Sequence, residues 1–307
     1  MGDDQAEATP AQHQPEQLVE ANGIEIAYDA FGDPSDPPML LVMGLGMQML
    51  GWDERFCSLL AVEGFHVIRF DNRDVGHSSS IEGGPKPKPI AAFLGSKRSA
   101  SSLVEDLAAD AAGLLDALEA PPAHIVGASL GGMIAQTIAI RHPERTRSLG
   151  SIMSTSGVHR MFPKLRALRV ILSSAPPGRE GYVEHLVSGQ RELTGGGYPF
   201  DEARSRRLAG RLFDRGIEPL GQARQLTAIV SSGDRAKELR ELRIPAVVIH
   251  GGADPLIPIR AGRATASAIP DSRFVEIPGM GHELPMPVWP EIVGALTDNA
   301  RRAEEGA

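Results

Sequence analysis

The sequence predicts an α/β fold in which a mostly parallel, twisted sheet is flanked by helices and carries a helical cap. Short apolar runs that are typical of buried strands alternate with stretches of helical periodicity along most of the 307 residues. Between residues 157 and 243 this alternation stops, and several short amphipathic stretches replace it. We therefore expect the cap to be inserted after the sixth strand.

The predicted elements follow each other in a regular order. Residues 17–20 and 24–28 alternate around Asn22-Gly23, which predicts a hairpin with a tight turn. Short apolar runs predict the remaining strands at residues 39–43, 66–70, 124–126, 149–153, 246–250 and 274–277. Helical spacing of apolar residues predicts helices at residues 101–118, 129–141, 164–173 and 201–215.

This pattern divides the chain into four segments. Residues 1–16 are acidic, polar and punctuated by proline, so they bury too little apolar surface to offset the entropy of ordering, and we expect a disordered tail. The core is expected in two parts, residues 17–156 and 244–302, with the cap at residues 157–243 between them.

Composition excludes several classes of protein. The net charge of −8 argues against a nucleic-acid-binding protein, which needs basic residues to neutralise phosphates. The sequence has no apolar run of about 18 residues and no secretory apolar segment, so we expect no stable membrane insertion and a cytoplasmic protein. Cys57 is the only cysteine, which excludes an intrachain disulfide and a cysteine-based zinc site. We expect no cofactor and no metal ion; the sequence gives no indication of oligomeric state.

A serine stands at the corner between a predicted strand and a predicted helix, in Gly127-Ala128-Ser129-Leu130-Gly131. A serine hydroxyl is a weak nucleophile that needs a base, a group that orients the base, and donors for the oxyanion. Gly127 and Gly131 lack Cβ atoms, so strand and helix can pack closely around a strained turn that exposes the hydroxyl. This context favours Ser129 as a nucleophile over a serine in a structural turn.

The base is expected in another loop at the same edge of the sheet. His282 lies in the glycine- and proline-rich loop directly after the predicted strand at residues 274–277. His77 and His250 are the alternatives, because both lie near strand ends. We favour His282.

The group that orients the base should be a carboxylate that follows a third strand. Asp254 lies in the loop after residues 246–250, whereas no Asp or Glu occurs between Glu144 and Glu180, after the sixth strand. Asp71 and Asp74 are instead expected to brace their own loop through Arg73. The alternative for Asp254 is an ordinary turn aspartate before a proline.

The order nucleophile, acid, base along the chain is that of the α/β-hydrolases. The chain resembles this superfamily from Leu18 to Ala300. More narrowly it is similar to the aclacinomycin-methylesterase-like esterases of actinobacteria, through the segments LVMGLGMQMLGW, RFDNRDVGHSS, GASLGGMIAQ, VIHGGADPLIP and IPGMGHELP. The resemblance implies a serine hydrolase that needs no cofactor and forms an acyl-enzyme intermediate.

The resemblance also implies the position of the oxyanion hole. One donor is the backbone N–H that follows the nucleophile, here that of Leu130. The other comes from the loop after the third strand, where Leu45 lies in Met43-Gly44-Leu45-Gly46. Many members of the family have a histidine where this chain has Met43; because the donor is a backbone N–H, we expect the departure to alter how the loop is braced and to leave the hole intact.

The expected substrate is therefore a small-molecule carboxylic ester. The same three side chains also serve lactone, thioester and C–C bond hydrolysis and cofactor-free haloperoxidase or perhydrolase chemistry, and these alternatives stay open. A further alternative is a protein that binds a ligand without turnover.

The cap and one loop are expected to govern access and substrate choice. Residues 80–98 are rich in glycine, proline and lysine and predict either a mobile gate or an ordinary surface loop. The cap carries 16 Lys and Arg against 10 Asp and Glu; we expect these cations to pair with local acids on solvated faces, the alternative being recognition of an anionic substrate. Seven methionines lie in or near the motif-bearing segments, and we expect them either to line an apolar pocket or to fill the core. They are Met43, Met47, Met49, Met133, Met153, Met161 and Met280.

Overall fold

An eight-stranded sheet forms the centre of the computed structural model, which describes residues 12–82, 84–89, 92 and 100–305. Its strands are β1 (His13–Ala21), β2 (Ile24–Phe31), β3 (Pro38–Val42), β4 (His66–Phe70), β5 (Ala123–Ala128), β6 (Thr146–Ile152), β7 (Ala246–Gly251) and β8 (Arg273–Ile277). The strands lie in the order β1-β2-β4-β3-β5-β6-β7-β8. β2 pairs antiparallel with β1 and β4, and all other pairs are parallel. The predicted mostly parallel sheet is confirmed.

Helices cover both faces of this sheet. One face packs against α2 (Val104–Ala117), α3 (Leu130–Arg141) and α9 (Ile259–Ala268), and the other against α1 (Glu54–Val62) and α10 (Trp289–Glu305). The apolar side chains of each layer form a separate buried cluster with one face of the sheet. In the part of the chain that the structure describes, no helix combines the length and apolar character that crossing a bilayer requires.

The cap consists of helices inserted between β6 and β7, as the sequence predicts. They are α4 (Leu165–Leu172), α5 (Arg179–Leu193), α6 (Glu202–Arg215), α7 (Gly221–Ser231) and the short α8 (Ala236–Leu239). β6 ends at Ile152 and β7 begins at Ala246, so the proposed boundaries at residues 157 and 243 fall in the connections between sheet and cap. The carboxyl ends of the parallel strands meet beneath these helices.

The expectation of a disordered tail through residue 16 is wrong for its last residues. β1 begins at His13 and pairs with β2 along its length, with a register shift between Gln14 and Gln17. The His13 ring stacks on Phe31 with 4.5 Å between centroids, and its Nε2 lies 3.1 Å from an oxygen of Asp29. Residues 13–16 are mostly polar, yet backbone pairing and these contacts hold them in the sheet. Residues 1–11 lie outside the described part of the chain.

A buried histidine in the sheet couples stability to pH. His124 on β5 is fully buried, its Nδ1 lies 2.9 Å from Ser148 Oγ, and Phe65 packs edge-on against its ring. Burial, with a smaller effect of Arg147, lowers the pKa of His124 from 6.5 to about 4. The carboxylate of Glu304, 3.8 Å from Nε2, is partly exposed to solvent and does not offset this burial.

We expect acid to destabilise the fold through His124. In the unfolded chain His124 binds a proton below about pH 6.5, whereas in the folded protein it does so only below about pH 4. The free energy of unfolding should therefore fall by about 3 kcal/mol from this group as the pH drops from 7.5 to 4. Urea denaturation of the wild type and of His124→Asn at several pH values measures the difference. The same pH dependence in both proteins would contradict the assignment.

Candidate active site

Ser129 occupies a strained turn between β5 and α3. Its φ is 56° and its ψ is −118°, a backbone conformation that costs about 1–3 kcal/mol for a residue with a side chain. A Cβ atom on Gly127 would lie 2.0 Å from the carbonyl oxygen of Gly131, and one on Gly131 would lie 2.0 Å from that of Val42. Both glycines are therefore required by close backbone packing, as the motif predicts.

Hydrogen bonds from β6 and its loop hold the turn. The Ser129 N–H donates to the carbonyl oxygen of Ile152 at 2.9 Å, and the Ser154 hydroxyl donates to the carbonyl oxygen of Ser129 at 2.7 Å. A Cβ on Gly132 would lie 2.5 Å from the Ser154 Cβ, so this glycine also permits the close approach. The backbone of Ser129 is thus fixed while its hydroxyl faces a cavity.

The structure brings together the three side chains that the sequence predicts. His282 Nε2 lies 2.9 Å from Ser129 Oγ, and His282 Nδ1 lies 2.8 Å from an oxygen of Asp254. Both distances are those of hydrogen bonds. The His282 side chain is 8% exposed and Asp254 is fully enclosed, so water screens neither contact strongly. The imidazole can accept a proton from the serine on one nitrogen while the carboxylate holds the other.

Asp254 is held as a carboxylate. One of its oxygens accepts hydrogen bonds from the Leu256 and Ile257 N–H groups at 2.8 and 2.9 Å, which leaves the other for His282. Burial alone raises the pKa of Asp254, but His282, His250 and the Ile257 N–H together lower it below its usual value. The alternative of an ordinary turn aspartate does not explain the contact with His282.

Neither of the alternative histidines contacts Ser129. His250 is buried on β7, where its Nε2 lies 2.8 Å from the Ile257 carbonyl oxygen and 3.7 Å from Asp254. Burial lowers the pKa of His250 below its usual value. His77 pairs with Glu16 of β1, in a cleft apart from the serine.

The predicted oxyanion donors, Leu45 and Leu130, both lie close to Ser129. Among the described residues, neither the Leu45 nor the Leu130 backbone N–H has a hydrogen-bond acceptor within the protein. A Cβ on Gly44 would lie 3.2 Å from the Ser129 Cβ, which shows how closely the loop after β3 approaches the serine. Both residues line the cavity. The two free donors are available for a negatively charged oxygen, although their catalytic role stays a prediction.

Buried amide side chains brace the loop Met43-Gly44-Leu45-Gly46. Asn72 Nδ2 donates to the Met43 carbonyl oxygen at 3.1 Å. The Gly46 N–H donates to Gln225 Oε1 at 2.8 Å, and Gln225 Nε2 donates to the Arg73 carbonyl oxygen at 3.0 Å. Sequence reasoning missed Gln225, because a cap glutamine distant along the chain carries no local signal of this contact.

The predicted brace from Arg73 to Asp71 or Asp74 is wrong. Arg73 instead forms a two-pronged ion pair with Asp110 of α2. Asp71 accepts from the Met49 N–H at 2.7 Å and pairs with Arg215, and Asp74 pairs with Arg224. The two aspartates therefore join the core to the cap.

The cap cations pair both within the cap and with the core, so the expectation that they pair with local acids is only partly confirmed. Some cap cations do pair within the cap, such as Arg206 with Glu184 and Glu202. Others reach acids of the core at 2.6 to 2.9 Å, in the pairs Arg204–Asp53, Arg211–Glu54, Arg215–Asp71 and Arg224–Asp74. These cations are already neutralised and give no support to an anionic substrate.

A cavity of about 810 Å³ lies between the cap and the carboxyl ends of the strands, with Ser129 and His282 in its wall. Its lining is mainly apolar and includes five of the predicted methionines, namely Met43, Met47, Met133, Met153 and Met161. Met49 and Met280 lie in the buried core instead. Within the described parts of the chain, no cluster of three or more His, Cys, Asp or Glu side chains is placed to bind a metal ion.

The loop at residues 80–98 is only partly described, because residues 83, 90–91 and 93–99 lie outside the described chain. Its first residues are tied to the neighbouring loops: the Ile81 N–H donates to Asp74 at 2.9 Å, and the Ser80 hydroxyl donates to Glu218 at 3.2 Å. Pro89 lines the cavity. A gating role for this loop stays a prediction.

Comparisons with known proteins identify the family of this chain. The chain matches the family model of the α/β hydrolase fold over residues 37–287. It is 30% identical to rhodomycin D methylesterase DauP of Streptomyces sp. strain C5, over 94% of this chain and 99% of that protein. It is 31% identical to rhodomycin D methylesterase DnrP of Streptomyces peucetius, over the same shares.

A solved structure gives the same fold. The 2-hydroxy-6-oxo-6-phenylhexa-2,4-dienoate hydrolase of Rhodococcus sp. strain RHA1 superimposes with a TM-score of 0.73 at 18% identity, covering 95% of this chain and 99% of that one. At this identity the likeness concerns the fold alone. Together with the family match, it confirms the resemblance inferred from the sequence motifs: the chain belongs to the α/β hydrolase fold family.

Proposed function

We propose that this protein is a serine esterase that hydrolyses small-molecule carboxylic esters through an acyl-enzyme intermediate. The observation that carries the proposal is the contact of His282 with both Ser129 and Asp254 at the wall of an apolar cavity. The likeness to two rhodomycin D methylesterases over nearly the whole chain supports a methyl ester as the substrate bond.

The reaction follows from the geometry of the three side chains. Ser129 Oγ attacks the ester carbonyl carbon as its proton passes to His282 Nε2, and the Leu45 and Leu130 N–H groups donate to the oxyanion. Each such donor contributes about 3 kcal/mol to the stability of the transition state. The tetrahedral intermediate then expels the alcohol, which takes the proton from His282. Asp254 remains ionised and keeps the second imidazole nitrogen protonated.

Water completes the cycle. His282 removes a proton from a water molecule as its oxygen attacks the acyl carbon, and the same proton returns to Ser129 Oγ when the acid is released. The apolar lining of the cavity suits a large apolar acid group, since burying apolar surface contributes about 25 cal/mol per Å². The methoxy group of a methyl ester needs little space beside the acid group.

A substrate panel tests the proposal. We expect kcat/KM for methyl esters of large apolar acids to exceed that for methyl acetate by at least ~10-fold, because only the former fill the cavity. Lactones, acyl-CoA thioesters, C–C substrates and peracid formation are assayed in parallel as controls. A higher kcat/KM for one of these control substrates than for any open-chain ester would contradict the assignment of a carboxylic ester as the substrate.

The substrate panel also tests the alternative that the protein binds a ligand without turnover. A protein that hydrolyses none of these compounds and is not labelled by a fluorophosphonate has no active serine, and the proposal then fails.

We place this enzyme in the cytoplasm as part of the proposal. Its only cysteine, Cys57, is a buried free thiol, which suits a reducing compartment. Fractionation of cells that produce the protein would contradict this placement if the protein were recovered outside the cytoplasmic fraction.

A further inference from the structure

The cap touches the loop that carries His282 through its backbone. The Leu193 carbonyl oxygen, at the end of α5, accepts a hydrogen bond from the His282 N–H at 2.9 Å. Further along the same connection, the Gly197 N–H donates to the Gly279 carbonyl oxygen at 3.1 Å. The Tyr198 hydroxyl donates to the Pro278 carbonyl oxygen at 3.1 Å. We call residues 193–198 the clamp segment and residues 278–283 the histidine loop.

Glycines make this approach possible by their lack of a side chain. A Cβ on Gly195 would lie 2.2 Å from the Gly279 carbonyl oxygen and 2.6 Å from the Gly281 nitrogen. A Cβ on Gly197 would lie 2.5 Å from the Gly279 Cα, and one on Gly281 would lie 2.2 Å from the Gly195 nitrogen. Gly195, Gly197 and Gly281 do not have a positive φ, so space and not backbone conformation calls for glycine there.

The histidine loop also contacts the loop that carries Asp254. The Ala253 N–H donates to the Met280 carbonyl oxygen at 3.0 Å. A Cβ on Gly251 would lie 2.3 Å from the same oxygen. The backbone that carries His282 is therefore packed against both the Asp254 loop and the clamp segment.

We propose that the clamp segment positions His282 between Ser129 and Asp254, so that the cap sets the rate of the chemical step as well as shaping the cavity. This inference rests on the proposed function, in which His282 is the base. Without the clamp segment, the histidine loop loses the acceptor for the His282 N–H and its packing on one side. Displacing a reacting group by about 1 Å can cost ~100-fold in rate.

Glu283 strengthens the same contact. Its side chain is next to His282 in the cavity wall, and its Oε1 accepts a hydrogen bond from the Gly195 N–H at 3.2 Å. This bond joins the histidine loop to the clamp segment a second time. Glu283 is therefore a positioning residue in this account, and a glutamine at the site retains the accepting oxygen.

The test replaces Gly195 by alanine and uses Gly233→Ala as the matched control. Gly233 also lies in the cap, and a Cβ there meets no atom within 4 Å. With p-nitrophenyl acetate, we expect Gly195→Ala to lower kcat by at least ~10-fold with KM changed by less than ~2-fold. Gly233→Ala should match the wild type.

An unchanged kcat in folded Gly195→Ala would overturn the inference, and so would a change confined to KM. Should Gly195→Ala fail to fold, the pair Glu283→Ala and Glu283→Gln decides. We expect Glu283→Ala to lower kcat and Glu283→Gln to restore most of it, and equal kcat in both would reject the positioning role. Fluorophosphonate labelling of Ser129 in the wild type separates the proposed function from the role of the clamp segment. A wild type that is unlabelled and inactive refutes the proposed function. An active wild type with an equally active Gly195→Ala refutes only the role of the clamp segment.

Discussion

Replacing Ser129 by alanine should lower kcat for p-nitrophenyl acetate by ~10⁴-fold or more. The substitution removes only the hydroxyl that His282 Nε2 contacts at 2.9 Å, and no other hydroxyl is shown within reach of that nitrogen among the described residues. Alanine has the same Cβ as serine, so the strained turn should form as before. Thermal unfolding of the variant should therefore match that of the wild type.

The control for Ser129→Ala is Ser267→Ala. Ser267 lies on α9, is exposed and donates only to the Arg263 carbonyl oxygen of its own helix. Its replacement should leave kcat and the midpoint of thermal unfolding unchanged. A folded Ser129→Ala protein that retains a substantial part of the wild-type rate would contradict the role of this serine.

Replacing Asp254 by asparagine should lower kcat by ~10⁴-fold at neutral pH. An amide N–H₂ at this place would donate to His282 Nδ1 and so favour the tautomer that carries its proton on Nε2. That nitrogen then faces Ser129 with a proton and can no longer accept one. The loops should keep their shape, because the asparagine oxygen can still accept from the Leu256 and Ile257 N–H groups.

Asp214→Asn is the matched control for Asp254→Asn. Asp214 is an exposed residue of α6 that pairs with Arg179 on the cap surface. The same change of carboxylate to amide there should leave kcat unaltered. The account of Asp254 would be wrong if both variants kept the wild-type rate while folded.

Local sequence patterns predicted the parts of the site that depend on short stretches of chain. The glycines around Ser129 follow from the sharp strand-to-helix turn, and the Gly127 and Gly131 distances give the physical reason. Asp254 and His282 were predicted because each follows a predicted strand, and parallel strands bring their carboxyl ends to one edge of the sheet. The mostly parallel character of the sheet followed from the alternation of strands and helices.

Contacts between distant segments could not be predicted in the same way. Arg73 has acids beside it in sequence, yet the fold brings Asp110 of α2 to its guanidinium. Gln225 and the clamp segment act on loops far away along the chain, so no spacing rule points to them. His13 and Gln14 look like part of a tail by composition but pair with β2 as a strand. In each case the partner depends on tertiary packing.

The most direct test of the central claim is to identify the residue that becomes acylated. The wild type is mixed with p-nitrophenyl acetate, quenched with acid during turnover and digested, and its peptides are mapped by mass spectrometry. We expect the acetyl group on Ser129, in amounts that rise and decay with turnover. Acylation of a different residue, or turnover with no acyl group on Ser129 at any quench time, would contradict the account.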